Sequence, residues 1–305
     1  MAYAAVVAGA GPAGLAVVGN LLEKNPNGKI LWVDPDFKGG RFSKQWREVP
    51  SNTKVKLFRD FAMALQPFRD VVDKTPCPNA LTALENLDQD RGCPISLAAD
   101  MCLMLTHGLS NNSQVVTQLG QVTGASLNSM LASTSYPDLK VRWFPRNGLR
   151  YAKFEDGWIL RDNTGLKGAA AEFARAHLED DVLPHSEAGK FISKHDCSGG
   201  YEKEIMTYEE NLPGCTHIVS ATGFTPDAVP LLSQDGRNLH NADLVYDNLN
   251  GGFMNKKGEQ IKGLFGAGIA FPERVTDPLG NQELNVGMWK FMKYLKRVVP
   301  EWIEK

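Results

Sequence analysis

Apolar residues along this chain recur with two periods. The run Ala4-Ala5-Val6-Val7-Ala8 is continuously apolar, as a buried strand requires, and Leu15, Val18 and Leu22 then recur at three- and four-residue spacing, predicting a helix with one apolar face. Pro26 and Asn27-Gly28 end that helix, and Lys29-Ile30-Leu31-Trp32-Val33 predicts a second buried strand that delivers Asp34. The aromatic stretch from Phe58 to Phe68 predicts packing, and Ile95 to Leu109 predicts an apolar helix closed by the polar Ser110-Asn111-Asn112-Ser113. Further on, Ala169 to Leu178 predicts a short helix, Cys215 to Ser220 a short strand, and Leu264-Phe265 a strand entering Gly266-Ala267-Gly268. Leu284, Met288, Phe291, Leu295 and Val298 make a last helical stripe, with Lys290, Lys293, Lys296 and Arg297 facing outward and Pro300 as its stop.

One stretch admits two patterns. In the first, residues 114–126 open a second strand-turn-helix-strand unit with eroded glycines, Gln118 and Thr123 standing where two of them would be, and the unit's second strand ends near Arg142 or Arg146. In the second, 115–124 and 154–162 are plain antiparallel strands, with Arg146-Asn147-Gly148 and Glu155-Asp156-Gly157 as turns. The first is preferred.

Composition narrows the classes. The chain has 305 residues, a formal net charge of −2 and a 43% apolar content, which give no reason to invoke nucleic acid or an anionic membrane. The apolar run at 97–105 is broken by Asp100 and too short to span a bilayer, and the first strand leaves no room for a signal peptide, so the expected location is cytoplasmic. Five cysteines without a Cys-x-x-Cys pair argue against a disulfide framework, a zinc ribbon or a dithiol centre, and the histidines lack metal-ligand spacing. No metal site is expected.

The chemistry concentrates where the first strand meets the first helix. In Gly9-Ala10-Gly11-Pro12-Ala13-Gly14 the first glycine permits a tight turn, the second lets backbone approach a pyrophosphate, and the third lets helix pack on strand. A phosphate would then face the helix N-terminus, and Asp34, about twenty positions past Gly14, suits a ribose hydroxyl. Gly39-Gly40-Arg41 followed by Trp46 suits a loop around a phosphate or a flat ring, or else a plain surface loop. Val49-Pro50-Ser51-Asn52-Thr53 cannot be a core strand, because Pro50 lacks a ladder donor.

The opening glycine turn with Asp34, Ala221-Thr222-Gly223 and the closing Gly266-Ala267-Gly268 stand in the order found in FAD-dependent two-dinucleotide flavoproteins. More narrowly, the chain resembles the flavin-containing and N-hydroxylating monooxygenases from end to end. Gly39-Gly40 with Trp46 is similar to that family's Gly-Gly-x-Trp element, Ser51-Asn52-Thr53 to its Asn-Thr element facing the flavin, and Ala221-Thr222-Gly223-Phe224 to its Ala-Thr-Gly-Tyr. The chain is shorter than usual members, with no room between Leu109 and Gln114 for the strand meander that completes their FAD domain.

The resemblance implies an α/β, Rossmann-like FAD-binding fold: three layers around a parallel sheet, with a small inserted second dinucleotide-binding-like domain. The expected division is 1–112 with 216–305 for FAD and 113–215 for a reduced NADPH-binding unit. FAD would be held by Gly9, Gly11, Pro12, Ala13, Gly14, Asp34, Gly40, Arg41, Trp46, Thr222, Gly223 and Gly268. NADP(H) would be held by Gly120, Arg142 and Arg146, a cation at a strand end suiting the 2′-phosphate. The implied activity passes one oxygen atom of molecular oxygen from a flavin hydroperoxide to a small nucleophilic substrate, with Asn52 as the group that steadies the oxygen. An Asn in a loop can also simply cap a turn. Two other functions fit the same motifs: a flavin oxidase or internal redox catalyst reduced by its own substrate, and a protein in which the flavin is structural.

Overall fold

The computed structural model describes residues 3–24, 27–119, 140–218, 231–232, 236, 238–239 and 244–304. The chain divides into two compact units, residues 1–127 with 225–305 and residues 128–224.

The first unit opens with β1 (Ala5–Ala8), α1 (Pro12–Glu23) and β2 (Ile30–Asp34). A short α2 (Arg41–Lys44) then leads to α3 (Val55–Ala62), α4 (Gln66–Lys74), α5 (Ala80–Glu85), α6 (Ile95–Ser110) and β3 (Val115–Leu119). β1, β2 and β3 form a parallel sheet with β2 in the middle, Ala5 facing Ile30 and Ile30 facing Val115. The alternation of a strand puts Val7, Ile30, Trp32 and Val115 on the buried face and leaves Val6 exposed, while Leu119 at the end of β3 is exposed as well. The core joins that face to Leu15 and Val18 of α1, Phe58 and Phe61 of α3, Phe68 of α4 and the α6 stripe ending at Leu109. Gly19 lets α1 approach α4 closely, since a Cβ there would lie 2.4 Å from the Phe68 ring.

In the second unit β4 (Val141–Trp143) precedes the hairpin β5 (Lys153–Glu155) and β6 (Trp158–Leu160), whose turn uses Gly157 at φ +77°. Helix α7 (Gly168–His177) follows, then β7 (Ile192–Lys194), which pairs in parallel with β4, and α8 (Tyr201–Asn211).

The return of the first unit contains the small pair β8 (Leu231–Leu232) and β9 (Asn238–Leu239), then β10 (Leu244–Tyr246), β11 (Gly252–Asn255) and β12 (Gln260–Phe265) as an antiparallel sheet. The hairpin β13 (Glu273–Thr276) and β14 (Gln282–Asn285) leads to α9 (Met288–Glu304). Met292, Leu295, Val298 and Val299 of α9 are fully buried in the first unit's core, against α1 and α3.

Three expectations are corrected. The strand at 115–119 completes the first sheet beside β2 instead of opening a second unit. Neither pattern proposed for 114–162 holds whole: β3 and β4 lie in different sheets, and only the turn at 155–157 joins antiparallel strands. Helix α9 runs through Pro300. Proline removes one backbone donor there, but Trp302 beyond it stacks on Phe265 at 4.7 Å and donates its indole N–H to Asn250 O at 2.7 Å, which anchors the last turn.

Candidate functional site

The glycine turn shows why each glycine is there. Gly9 has φ +103°, a left-handed conformation that favours glycine, and its carbonyl accepts the Trp32 indole N–H at 2.9 Å. Gly14 is demanded by packing, because a Cβ would sit 1.9 Å from that same Gly9 carbonyl oxygen. Gly11 is different. Its φ of −75° and ψ of 179° suit any residue, and a Cβ there would meet nothing within 4 Å. The fold has no use for the absence of a side chain at Gly11, so the open space serves whatever approaches the turn. Pro12 occupies the first turn of α1, where the missing N–H costs nothing, and no side chain caps the helix start at Gly11. This combination of an open cradle and an uncapped helix N-terminus fits the pyrophosphate of a dinucleotide.

Three distant segments close on the turn. Gly40, at φ +66°, lies so near that a Cβ would come 2.8 Å from Gly11 Cα, and a Cβ on Gly268, at φ +93°, would lie 2.9 Å from Ala13 Cβ. Tyr246 braces the loop that carries Gly268 by donating its hydroxyl to Phe271 O at 2.8 Å and also reaching Gly266 O. Asp34 is only 5% exposed and its carboxylate accepts three backbone N–H groups: Ala10 at 2.6 Å, Phe37 at 2.8 Å and Asp36 at 3.0 Å. The carboxylate expected at a ribose therefore also staples the glycine turn to the end of β2.

Next along the chain, Arg41 is exposed at the start of α2, and Trp46 is partly exposed with its ring 6.3 Å from that of Phe42. The next residue, Arg47, grips both oxygens of Asp100 on α6 at 2.8 and 3.0 Å. Cys102 on α6 packs beside Gly39, and complete burial pushes its thiol up to about 12, so it stays protonated and serves packing. The hydroxyl of Ser43, also beside Gly39, is buried without a partner among the described residues. Asn52 is exposed, and its carboxamide makes no hydrogen bond to the described residues. The turn it sits in is closed by Ser51, whose hydroxyl accepts the Thr53 N–H at 2.9 Å, so capping falls to Ser51 and Asn52 is left free.

The arginines of the second unit are engaged. Arg142 donates to the carbonyls of Asn211 and Pro213, and Arg146 grips Glu204 through Nε at 2.8 Å and Nη2 at 2.6 Å. Tyr208 donates to the same Glu204 oxygen at 2.6 Å. The hydrogen bonds from Arg146 and Tyr208 hold the Glu204 carboxyl below its ordinary value, and the carboxylate in turn raises Arg146 and Tyr208. A cleft of about 610 Å³ also lies in this unit, lined by Asn147, Gly148, Ser193, Lys194, Asp196 and Ser198 among others. Among the described residues its lining cation Lys194 pairs with Asp180, and Lys203 pairs with the lining Asp196. Gly120, Thr222 and Gly223 lie outside the described residues.

Sequence reading missed Ser43, Tyr246 and the Arg47–Asp100 pair, whose roles depend on partners distant in sequence. The Asp100 that interrupts an apolar helix was the available signal for the last of these.

Fold and site define a class, a mixed α/β protein whose three-stranded parallel sheet is compatible with a Rossmann-like fold. Over 388 aligned positions the chain is 44% identical to a protein of Paecilomyces divaricatus named Monooxygenase AgnR1, with 98% of each chain covered. The chain belongs to that protein's family, a family of monooxygenases. The alignment is longer than the 305 residues present here, so the relative has residues without counterparts in this chain. No protein-family model and no solved structure matches the chain. Among the described residues no helix is long and apolar enough to cross a membrane.

Proposed function

We propose that this chain is an FAD-dependent monooxygenase acting on a small organic nucleophile. The observation that carries the reading is Gly11: a glycine with an ordinary backbone, at the uncapped start of a helix, whose side-chain position faces open space with room for a pyrophosphate. Gly9, Gly14, Gly40 and Gly268 shape that cradle and Asp34 holds it to the sheet, while the assignment of Thr222 and Gly223 to FAD rests on the resemblance alone. Bound flavin supplies the redox chemistry, in which one atom of O2 enters the substrate, the other leaves as water, and a reductant provides two electrons. The chain's own part is to bind, orient and exclude water. Asn52, with a free carboxamide, donates a hydrogen bond to the reacting oxygen without surrendering a labile proton.

The reductant is the open half of this reading. Arg142 and Arg146 are spent on internal contacts, which favours the version in which the substrate itself reduces the flavin over one in which these arginines hold an NADP 2′-phosphate. The test is the absorption spectrum of the purified protein, before and after anaerobic NADPH. A yellow protein bleached by NADPH supports nicotinamide use, one bleached by substrate alone supports the second version, and a colourless protein that takes up no added FAD sinks both.

A further inference from the structure

The turn that presents Asn52 is held by a segment about forty residues further on. Residues 49–56 run beside 89–95 and are joined to them by backbone bonds: Ile95 N to Val49 O at 3.0 Å, Ser51 N to Cys93 O at 2.8 Å, Val55 N to Arg91 O at 2.8 Å and Lys56 N to Gln89 O at 3.1 Å. Pro50 and Pro94 form an isolated antiparallel bridge within the same pairing. Between Val55 and Ser51 the first strand of this pairing bows out, and Asn52 lies in the bow. Gly92 lies opposite. A Cβ on Gly92 would come 1.9 Å from Ser51 O and 3.0 Å from Ser51 C, and its φ lies outside the left-handed region. Glycine is therefore required at 92 for space and not for backbone conformation.

We propose that Gly92 is a positioning residue for the oxygen-handling site: its missing side chain lets the Ser51 carbonyl seat against it, and that contact fixes the Ser51–Thr53 turn that presents Asn52. Three features agree. The Ser51 carbonyl is backbone in a hydrogen-bonded segment, so it cannot swing aside as a side-chain tip would. The Ser51 hydroxyl already closes the turn onto Thr53 N, so a push on Ser51 is passed to Asn52. Among the described residues Asn52 has no hydrogen bond that would hold its carboxamide in place if the turn moved. Any side chain at 92 must drive the turn outward by about 1 Å, a displacement that can cost on the order of a hundredfold in a positioned reaction.

This inference rests on Asn52 facing the reacting oxygen, and the experiment separates the two. Gly92→Ala, Ser51→Ala and Asn52→Ala are prepared as full-length protein with flavin bound. Two quantities are read: the rate at which reduced protein releases hydrogen peroxide on meeting oxygen, and amide hydrogen exchange across residues 49–56. Peroxide release is the two-electron, two-proton reduction of O2 with no oxygen passed on, so it rises when the oxygen is poorly held. In Gly92→Ala we expect flavin content retained, exchange at 49–56 at least tenfold faster, and peroxide release raised about as much as in Asn52→Ala. A purely structural glycine would lower Tm and leave peroxide release at the wild-type rate, and that result overturns the inference. Should Gly92→Ala fail to fold, Ser51→Ala decides, since it loosens the same turn without adding bulk: faster exchange with unchanged peroxide release overturns the inference equally. If Asn52→Ala itself releases peroxide at the wild-type rate, the oxygen-facing reading has failed independently of Gly92.

Discussion

The glycine turn of the first unit and the arginine-bearing strand end of the second attract attention in the sequence for the same reason, a fit to nucleotide recognition. In the structure they differ in one respect. Around Gly9–Gly14 the fold leaves something unused: space at Gly11, and a helix start that no side chain caps. At Arg142 and Arg146 the guanidinium groups have work inside the protein, on two carbonyls and on Glu204. A residue type suited to a ligand is only a nomination. What turns it into a site candidate is a feature that the fold alone does not explain.

The contrast can be broken first within the turn itself. Gly14→Val places a side chain against the Gly9 carbonyl, where the three nearest atoms are all Gly9 backbone, and should cost about 3 kcal/mol or more. Urea unfolding at constant slope measures it, and a loss under 1 kcal/mol would show that the strand-helix packing is looser than described. Asp34→Ala comes next. It strands the N–H groups of Ala10, Asp36 and Phe37 in a site only 5% exposed, at about 2–4 kcal/mol in flavin-free protein. If the flavin-free variant is as stable as its parent, Asp34 serves the ligand alone and the staple has no weight. Gly11→Val sharpens the contrast from the other side. Its stability should stay within about 0.5 kcal/mol of the parent because the added side chain meets open space, while bound flavin falls to a small fraction. A Gly11→Val protein that purifies with its full complement of flavin removes the dinucleotide from this turn.

How much of this was legible follows from where each signal is stored. The glycine turn, its flanking strands and the α6 stripe could be read directly, because strand, turn and helix follow one another within the chain and their periods are local. The partner of the 115–119 strand could not, since a parallel pair needs a long crossover and nothing in Val115–Leu119 names β2. The helical stop at Pro300 was a sound local rule overridden by Trp302, whose partners Phe265 and Asn250 are far back in sequence. For Arg142 and Arg146 the sequence showed the charge and hid its employment. Ser51 and Asn52 illustrate the same limit favourably: either could have closed the turn, and only the geometry reveals that Ser51 does so and leaves Asn52 free.

The smallest expected effect belongs to Arg146, and its form depends on pH. The Arg146 and Tyr208 hydrogen bonds hold the folded Glu204 carboxyl below its ordinary value of 4.5, the value regained on unfolding. A carboxyl depressed in this way adds stability that is fully present above pH 4.5 and is lost as the pH falls through the lower folded value, because the unfolded chain then binds the proton more readily. Arg146→Ala removes the largest cause of the depression. The variant should therefore be less stable than the parent near neutrality, and the gap in Tm should narrow as the pH falls below 4.5. Glu204→Gln should flatten the same acid limb from the other partner. Neither change should alter the ratio of the apparent constants for NADPH and NADH, measured as anaerobic flavin reduction at neutral pH. A selective rise in the NADPH constant in Arg146→Ala, with no narrowing of the Tm gap in acid, would mean that this guanidinium is held for a phosphate after all and that the second unit resembles the first more than the structure allows.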